Sequence, residues 1–126
     1  MSIPHKKHSP GFLAYVREAK SRVHEIDIAE YRKMPAGDHL LIDVREDHEW
    51  AEGRARGAIH LSKGIVERDI ETTVPDKATK MVLYCGGGYR SALVAEALGK
   101  MGYTDAISLD GGWRAWNEAG LPVTKD

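Results

Sequence analysis

Met81-Val82-Leu83-Tyr84-Cys85-Gly86-Gly87-Gly88-Tyr89-Arg90-Ser91-Ala92-Leu93-Val94-Ala95-Glu96-Ala97-Leu98 joins an apolar run to a helix-like one through a cysteine and three glycines. Its first four residues are an apolar run of strand type, and the residues from Ser91 onward carry helical spacing. The single cysteine of the chain therefore lies at a strand-to-helix turn made mostly of glycine. Glycine accepts positive φ at little steric cost, so three in a row allow a tight cradle with N–H groups turned inward. The helix that follows adds unpaired N–H groups and the positive end of its dipole. Such a turn binds anions and favours a thiolate, which makes Cys85 a candidate nucleophile.

A β/α rhythm extends on both sides of this turn. Strands are expected at residues 23–26, 40–44, 58–61, 81–84 and 106–109, and helices at 27–34, 47–52, 65–71, 90–100 and 112–118. Asp27 is placed to cap the first of these helices. Strands alternating with helices predict an α/β domain with a central parallel sheet of about five strands and helices on both faces. Ligand sites of such sheets lie beyond the carboxyl ends of the strands. Cys85, Asp43-Val44-Arg45 and Asp110-Gly111-Gly112 all follow strand ends, so they should meet on one rim. Residues 1–10 read as a polar tail, and 11–22 as an amphipathic helix with Phe12, Leu13, Val16 and Ala19 on one face. Ser9 and Pro10 are placed to open it as cap and first residue. That helix is expected to pack on the domain. The chain thus divides into a tail with an extra helix, 1–22, and a domain, 23–126.

Three motifs in order resemble the rhodanese (sulfurtransferase) family. The Cys loop is similar to its Cys-x-x-Gly-x-Arg-Ser pattern at Cys85, Gly88, Arg90 and Ser91. Leu41-Ile42-Asp43-Val44-Arg45-Glu46, with Glu49-Trp50 and Gly57-Ala58-Ile59, resembles the first signature. Leu109-Asp110-Gly111-Gly112-Trp113, with Trp116 and Gly120-Leu121-Pro122-Val123, resembles the last. The resemblance spans residues 23 to 124 and implies a rhodanese-like fold. It further implies that Cys85 attacks the outer sulfur of an anionic donor such as thiosulfate. A persulfide on Cys85 would then pass its sulfur to cyanide or a thiol, by ping-pong kinetics and without a cofactor.

In this reading Gly86, Gly87, Gly88, Tyr89, Arg90 and Ser91 form the substrate-binding loop. Arg90 supplies a permanent positive charge for the donor, and Tyr89 is a wall of the pocket. The Ser91 hydroxyl either bonds the sulfur or caps the helix. Asp43 and Arg45 are expected to brace the loop from below. Trp50, Trp113 and Trp116 are expected in core and rim packing. His48 and Glu49 are expected to face solvent on a short helix. Where the family often has Gly-His-Ile, this chain has Gly53-Arg54-Ala55, and Arg54 would add positive potential there.

Composition narrows the remaining classes. One cysteine excludes an internal disulfide, a Cys-x-x-Cys redox pair and a thiolate zinc cluster. The six histidines, at 5, 8, 24, 39, 48 and 60, show no ligand spacing, and no metal site is expected. Acidic and basic residues nearly cancel, 19 against 18, which argues against a nucleic-acid partner. No apolar run reaches membrane-span length, and no signal-peptide core follows the basic N-terminus. A cytoplasmic protein is expected. Two rival functions stand beside the enzyme. One is a sulfur-carrier module fed by a protein donor within a relay. The other is a phosphatase or arsenate reductase of the same fold, although their loop resembles Cys-x5-Arg and this one is Cys-x4-Arg. A non-catalytic signalling domain would normally lack the cysteine.

Overall fold

A computed structural model describes residues 7–126, so most of the tail, including His5, lies outside the described residues. Five parallel strands form the sheet, ordered β1 (His24–Ile26), β6 (Ala106–Leu109), β5 (Met81–Tyr84), β2 (Leu40–Asp43) and β4 (Ile59–His60). The helices are α1 (Pro10–Lys20), α2 (Ile28–Arg32), α3 (Asp47–Glu52), α4 (Val66–Thr73), α5 (Tyr89–Lys100) and α6 (Gly112–Glu118).

The period of two along a strand explains how the sheet divides its core. On β5, Met81 and Leu83 point to one face and pack with Val66 and Ile70 of α4 and Val94 and Leu98 of α5. Val82 and Tyr84 point to the other and pack with Ile107, Leu109 and Trp116, beside Ile28 and Tyr31 of α2. All four β5 residues are buried, as a strand covered on both faces requires. β5 is the middle strand of the five, which puts the Cys loop at the centre of the carboxyl rim.

Local signals account for the helix ends. Asp27 accepts from the backbone N–H of Glu30, whose side chain returns to the Asp27 N–H, a complete capping box. Pro10 opens α1, as expected, but Ser9 makes no side-chain cap bond. The first turn there is held by backbone, with Leu13 N–H donating to Ser9 O. α1 packs on α5, with Val16 and Ala19 against Leu93 and the flanking Phe12 and Tyr89. A two-stranded antiparallel ribbon was not expected from the sequence. It joins β3 (Arg54–Ala55) to β7 (Val123–Thr124), with Arg54 opposite Thr124 and Ala55 opposite Val123. Strands of two residues carry no readable period.

Candidate active site

The three motifs meet on the carboxyl rim. After Tyr84 the chain enters the glycine turn, and Gly88 caps α5 in the left-handed region at φ 103°. Of the three loop glycines only Gly88 takes a positive φ. The cradle thus draws on positive-φ freedom at this one position of the run. A Cβ at Gly86 would meet Arg90 Nη2 at 3.0 Å, whereas one at Gly87 would meet nothing within 4 Å.

The segment after β6 orients the loop. Gly111 N–H donates to Gly87 O at 3.2 Å, Trp113 N–H to Cys85 O at 2.7 Å, and Arg114 N–H to Gly86 O at 3.1 Å. Three consecutive loop carbonyls are thereby drawn toward the start of α6. A trans peptide points its N–H opposite to its C=O, so the N–H groups of residues 86–88 turn the other way, into the cradle. Gly88 N–H reaches Cys85 Sγ at 3.1 Å, and Ser91 N–H reaches it at 3.4 Å. These donors are placed to hold negative charge on the sulfur. Close approach of the two segments requires glycine at 112, whose φ is +48° and whose added Cβ would lie 2.3 Å from Cys85 O.

Ser91 is not the helix cap, because Gly88 takes that position. Its hydroxyl lies 3.6 Å from Cys85 Sγ and 2.8 Å from Ser108 Oγ. Both serines are fully buried. Ser108 was not singled out in the sequence. The available signal is a hydroxyl in the otherwise apolar strand Ala106-Ile107-Ser108-Leu109, at a position that must be buried.

Arg90 and Glu49 require a larger correction. Glu49 does not simply face solvent. It takes both ends of the Arg90 guanidinium, with Nη1 to Oε1 at 2.7 Å and Nη2 to Oε2 at 3.1 Å. Glu49 Oε1 also accepts from the Glu46 N–H. Partial burial pushes the Glu49 carboxyl up, but the Arg90 hydrogen bond and charge and the Glu46 N–H outweigh it, and the net result lies at about 2 against an ordinary 4.5. Arg90 is raised in turn, chiefly by its bond to Glu49 and also by the charge of Cys85. The folded carboxyl is depressed, so the stability it adds is present above about 4.5 and is lost as pH falls toward about 2. Melting temperatures measured from pH 5 to pH 2 are expected to fall less steeply for Glu49→Gln than for the parent. Parallel profiles would remove the pair from the acid response.

Asp43 and Arg45 form a buried pair under the rim, 0% and 3% exposed. Asp43 accepts from the backbone N–H and side chain of Arg45 and from Tyr84 Oη at 2.6 Å. Burial, together with the Asp43 carboxylate, raises the Tyr84 hydroxyl above its ordinary value. Arg45 Nη2 also donates to Gly53 O, and its guanidinium lies 4.5 Å from the Trp113 ring centre. Trp116 is buried in the core and Trp113 stands at the rim, as expected. Trp50 stacks on His60 with ring centres 4.7 Å apart, and the Arg54 guanidinium lies 4.5 Å from the Trp50 ring centre.

Above Cys85 opens a cavity of about 660 Å³. Cys85, Gly86, Gly87, Tyr89 and Arg90 contribute to its lining, together with Glu46, His48, Glu49, Gly111, Trp113 and Arg114. His8 and Phe12 complete it. Polar composition places His8 in the tail, yet its ring lies 5.2 Å from Phe12 and 5.0 Å from Tyr89.

The rhodanese-like domain model matches residues 27–119, and this chain belongs to the rhodanese family. It is similar to the thiosulfate sulfurtransferase GlpE of Actinobacillus succinogenes, with 32% identity over 84 residues, 67% of this chain and 74% of that one. Among solved structures it is similar to the polysulfide-sulfur transferase homodimer of Wolinella succinogenes, with TM-score 0.76 and 28% identity, covering 90% of this chain and 87% of that one. It is also similar to a Rhodopseudomonas palustris protein of unknown function described as a possible tyrosine phosphatase. That pair has TM-score 0.81 and 28% identity, covering 97% and 100% of the two chains. Taken together, the sulfurtransferase relatives support sulfur transfer as the general class of reaction.

Proposed function

We propose that the protein is a sulfurtransferase that carries sulfane sulfur as a Cys85 persulfide, from thiosulfate or a persulfide donor to cyanide or a thiol. The observation that carries this reading is the inward-facing loop, whose Gly88 and Ser91 N–H groups both reach Cys85 Sγ. With thiosulfate, the Cys85 thiolate attacks the outer sulfur and its S–S bond breaks with the electron pair leaving on sulfite. The new S–S bond holds the transferred sulfur where loop N–H groups can share its charge. An acceptor nucleophile then attacks that outer sulfur, and the electron pair returns to Cys85. With cyanide the product is thiocyanate.

In this proposal Gly86, Gly87 and Gly88 form the cradle, Ser91 adds its hydroxyl, and Tyr89 is a wall. Arg90 acts as a fixed charge beside the loop, oriented by Glu49. Asp43 and Arg45 brace the loop through Trp113. The proposed unit of function is the domain from residue 23, with α1 attached to its side. The test is steady-state kinetics with thiosulfate and cyanide varied together. Parallel double-reciprocal lines are expected from a ping-pong cycle. Lines that intersect would mean that no sulfur-bearing intermediate outlives the donor.

The phosphatase-described neighbour favours a second reading, an oxyanion enzyme. Four residues separate Cys85 from Arg90, and Arg90 is already held at both ends by Glu49. Both features favour a cradle for one sulfur over one for a tetrahedral anion. A third reading, a sulfur carrier served by a protein donor, uses the same persulfide. It differs in one expected result, slow loading from thiosulfate and fast loading from a protein persulfide.

A further inference from the structure

The cavity over Cys85 is much larger than its simplest proposed substrates need. Thiosulfate has five heavy atoms and cyanide two. A volume of about 660 Å³ lies in the range that holds drug-sized ligands. One wall comes from outside the residues 27–119 matched to the family. His8, just before α1, and Phe12, on α1, stand against Tyr89 of α5, with the Phe12 and Tyr89 ring centres 6.3 Å apart. Lys20 Nζ lies 5.5 Å from the Tyr89 ring centre, a contact that fixes the ring from the α1 side. His8 is exposed while Cys85 is only 1% exposed, so the aromatic wall stands at the open side and the sulfur at the closed end.

We propose that the His8–Phe12–Tyr89 wall is a subsite for a small organic thiol acceptor with an apolar, preferably aromatic, body. The inference rests on the sulfur-transfer reading of Cys85. Its physical basis is that an acceptor must bring a sulfur to the closed end while the rest of the molecule lies along the wall. An aromatic body gains offset or tilted ring contacts there, which cyanide and small polar thiols cannot make. A slender thiol also suits a sulfur this deeply buried better than a cysteine on the surface of a folded partner. The step balances without a co-reactant. The acceptor thiolate attacks the outer sulfur of the Cys85 persulfide, that S–S bond breaks, and Cys85 leaves as thiolate. The product is the organic persulfide, and no net oxidation occurs.

The experiment loads the full chain with thiosulfate or, separately, inorganic polysulfide, removes the donor, and follows discharge of the persulfide by intact mass. Benzyl mercaptan, 2-mercaptoethanol and cyanide are the probes, the two thiols compared at equal thiolate concentration. Benzyl mercaptan is expected to discharge the parent about tenfold faster than 2-mercaptoethanol does, a difference that ring contacts of this kind can supply. His8→Ala and Phe12→Ala should each shrink that advantage by about threefold, with cyanide discharge unchanged. His8→Phe should retain it. His8 is exposed, so its variants test the wall even if Phe12→Ala loosens α1. Equal rates for the two thiols on the parent would overturn the subsite, as would a matching loss of cyanide discharge in His8→Ala. Those results would leave the persulfide itself standing. Failure of both donors to load Cys85 would instead overturn the sulfur-transfer reading, and the subsite with it.

Discussion

Gly112→Ala is expected to abolish most of the activity while leaving the sheet assembled. The added Cβ would sit 2.3 Å from Cys85 O, 3.0 Å from Cys85 C and 3.1 Å from Gly86 C. These are backbone atoms, so no side chain can swing away to relieve the contact. The φ of +48° adds a strain of about 1–3 kcal/mol for a residue with a side chain. The loop must therefore move off α6, and the Trp113 N–H to Cys85 O bond at 2.7 Å is the first to be lost. Once its carbonyls are released, the loop no longer fixes its N–H groups toward the sulfur. A displacement of about 1 Å at a reacting centre can reduce turnover about 100-fold. Gly87→Ala is the control, since its Cβ meets nothing within 4 Å. Its unfolding free energy should stay within about 0.5 kcal/mol of the parent. Equal turnover for Gly112→Ala and the parent would show that the contact at residue 112 does not set the loop.

Asp43→Ala is expected to be the most destabilising single change on the rim. Asp43 is the carboxylate partner of Arg45, and the pair is almost wholly buried. Removing one partner of a buried ion pair costs about 3–5 kcal/mol, because the other charge stays buried without compensation. The Tyr84 hydroxyl loses its acceptor at the same time. Arg45 also lies against the Trp113 ring, and Trp113 bonds the Cys85 carbonyl, so part of the loss should appear as slower turnover. Tyr84→Phe removes only one hydrogen bond to Asp43 and should cost about 1 kcal/mol. Denaturant midpoints and turnover for the two variants check both statements. An Asp43→Ala midpoint equal to the parent would leave the pair without a bracing role.

The order of strands and helices was legible because each major strand is an apolar run and each major helix carries its own stop or cap. The Asp27 cap and the strand-end placement of Cys85, Asp43 and Asp110 are local facts, visible within a few residues of chain. The Glu49–Arg90 pair was not legible. The two residues are 41 apart, and their meeting depends on how α3 lies against the start of α5. Asp47 to Glu52 read as an exposed helix because its sequence is polar, and polarity does not reveal a partner across the rim. His8 was misplaced for the same reason, since only the packing of α1 on α5 brings it to Tyr89. The glycine run marks the tight turn, but not which of its residues takes the positive φ, which is Gly88. The cradle depends as much on Gly111 and Gly112, in another motif, as on the run itself.

Intact-mass spectrometry reads a persulfide on Cys85 as added mass. The parent and Cys85→Ser are measured before and after thiosulfate, without reductant. One added sulfur atom is expected on the parent and none on the variant, and cyanide should remove it. A parent that stays unmodified after both thiosulfate and polysulfide would rule out the Cys85 persulfide. Phosphate- or arsenate-dependent turnover by that same protein would point to an oxyanion enzyme.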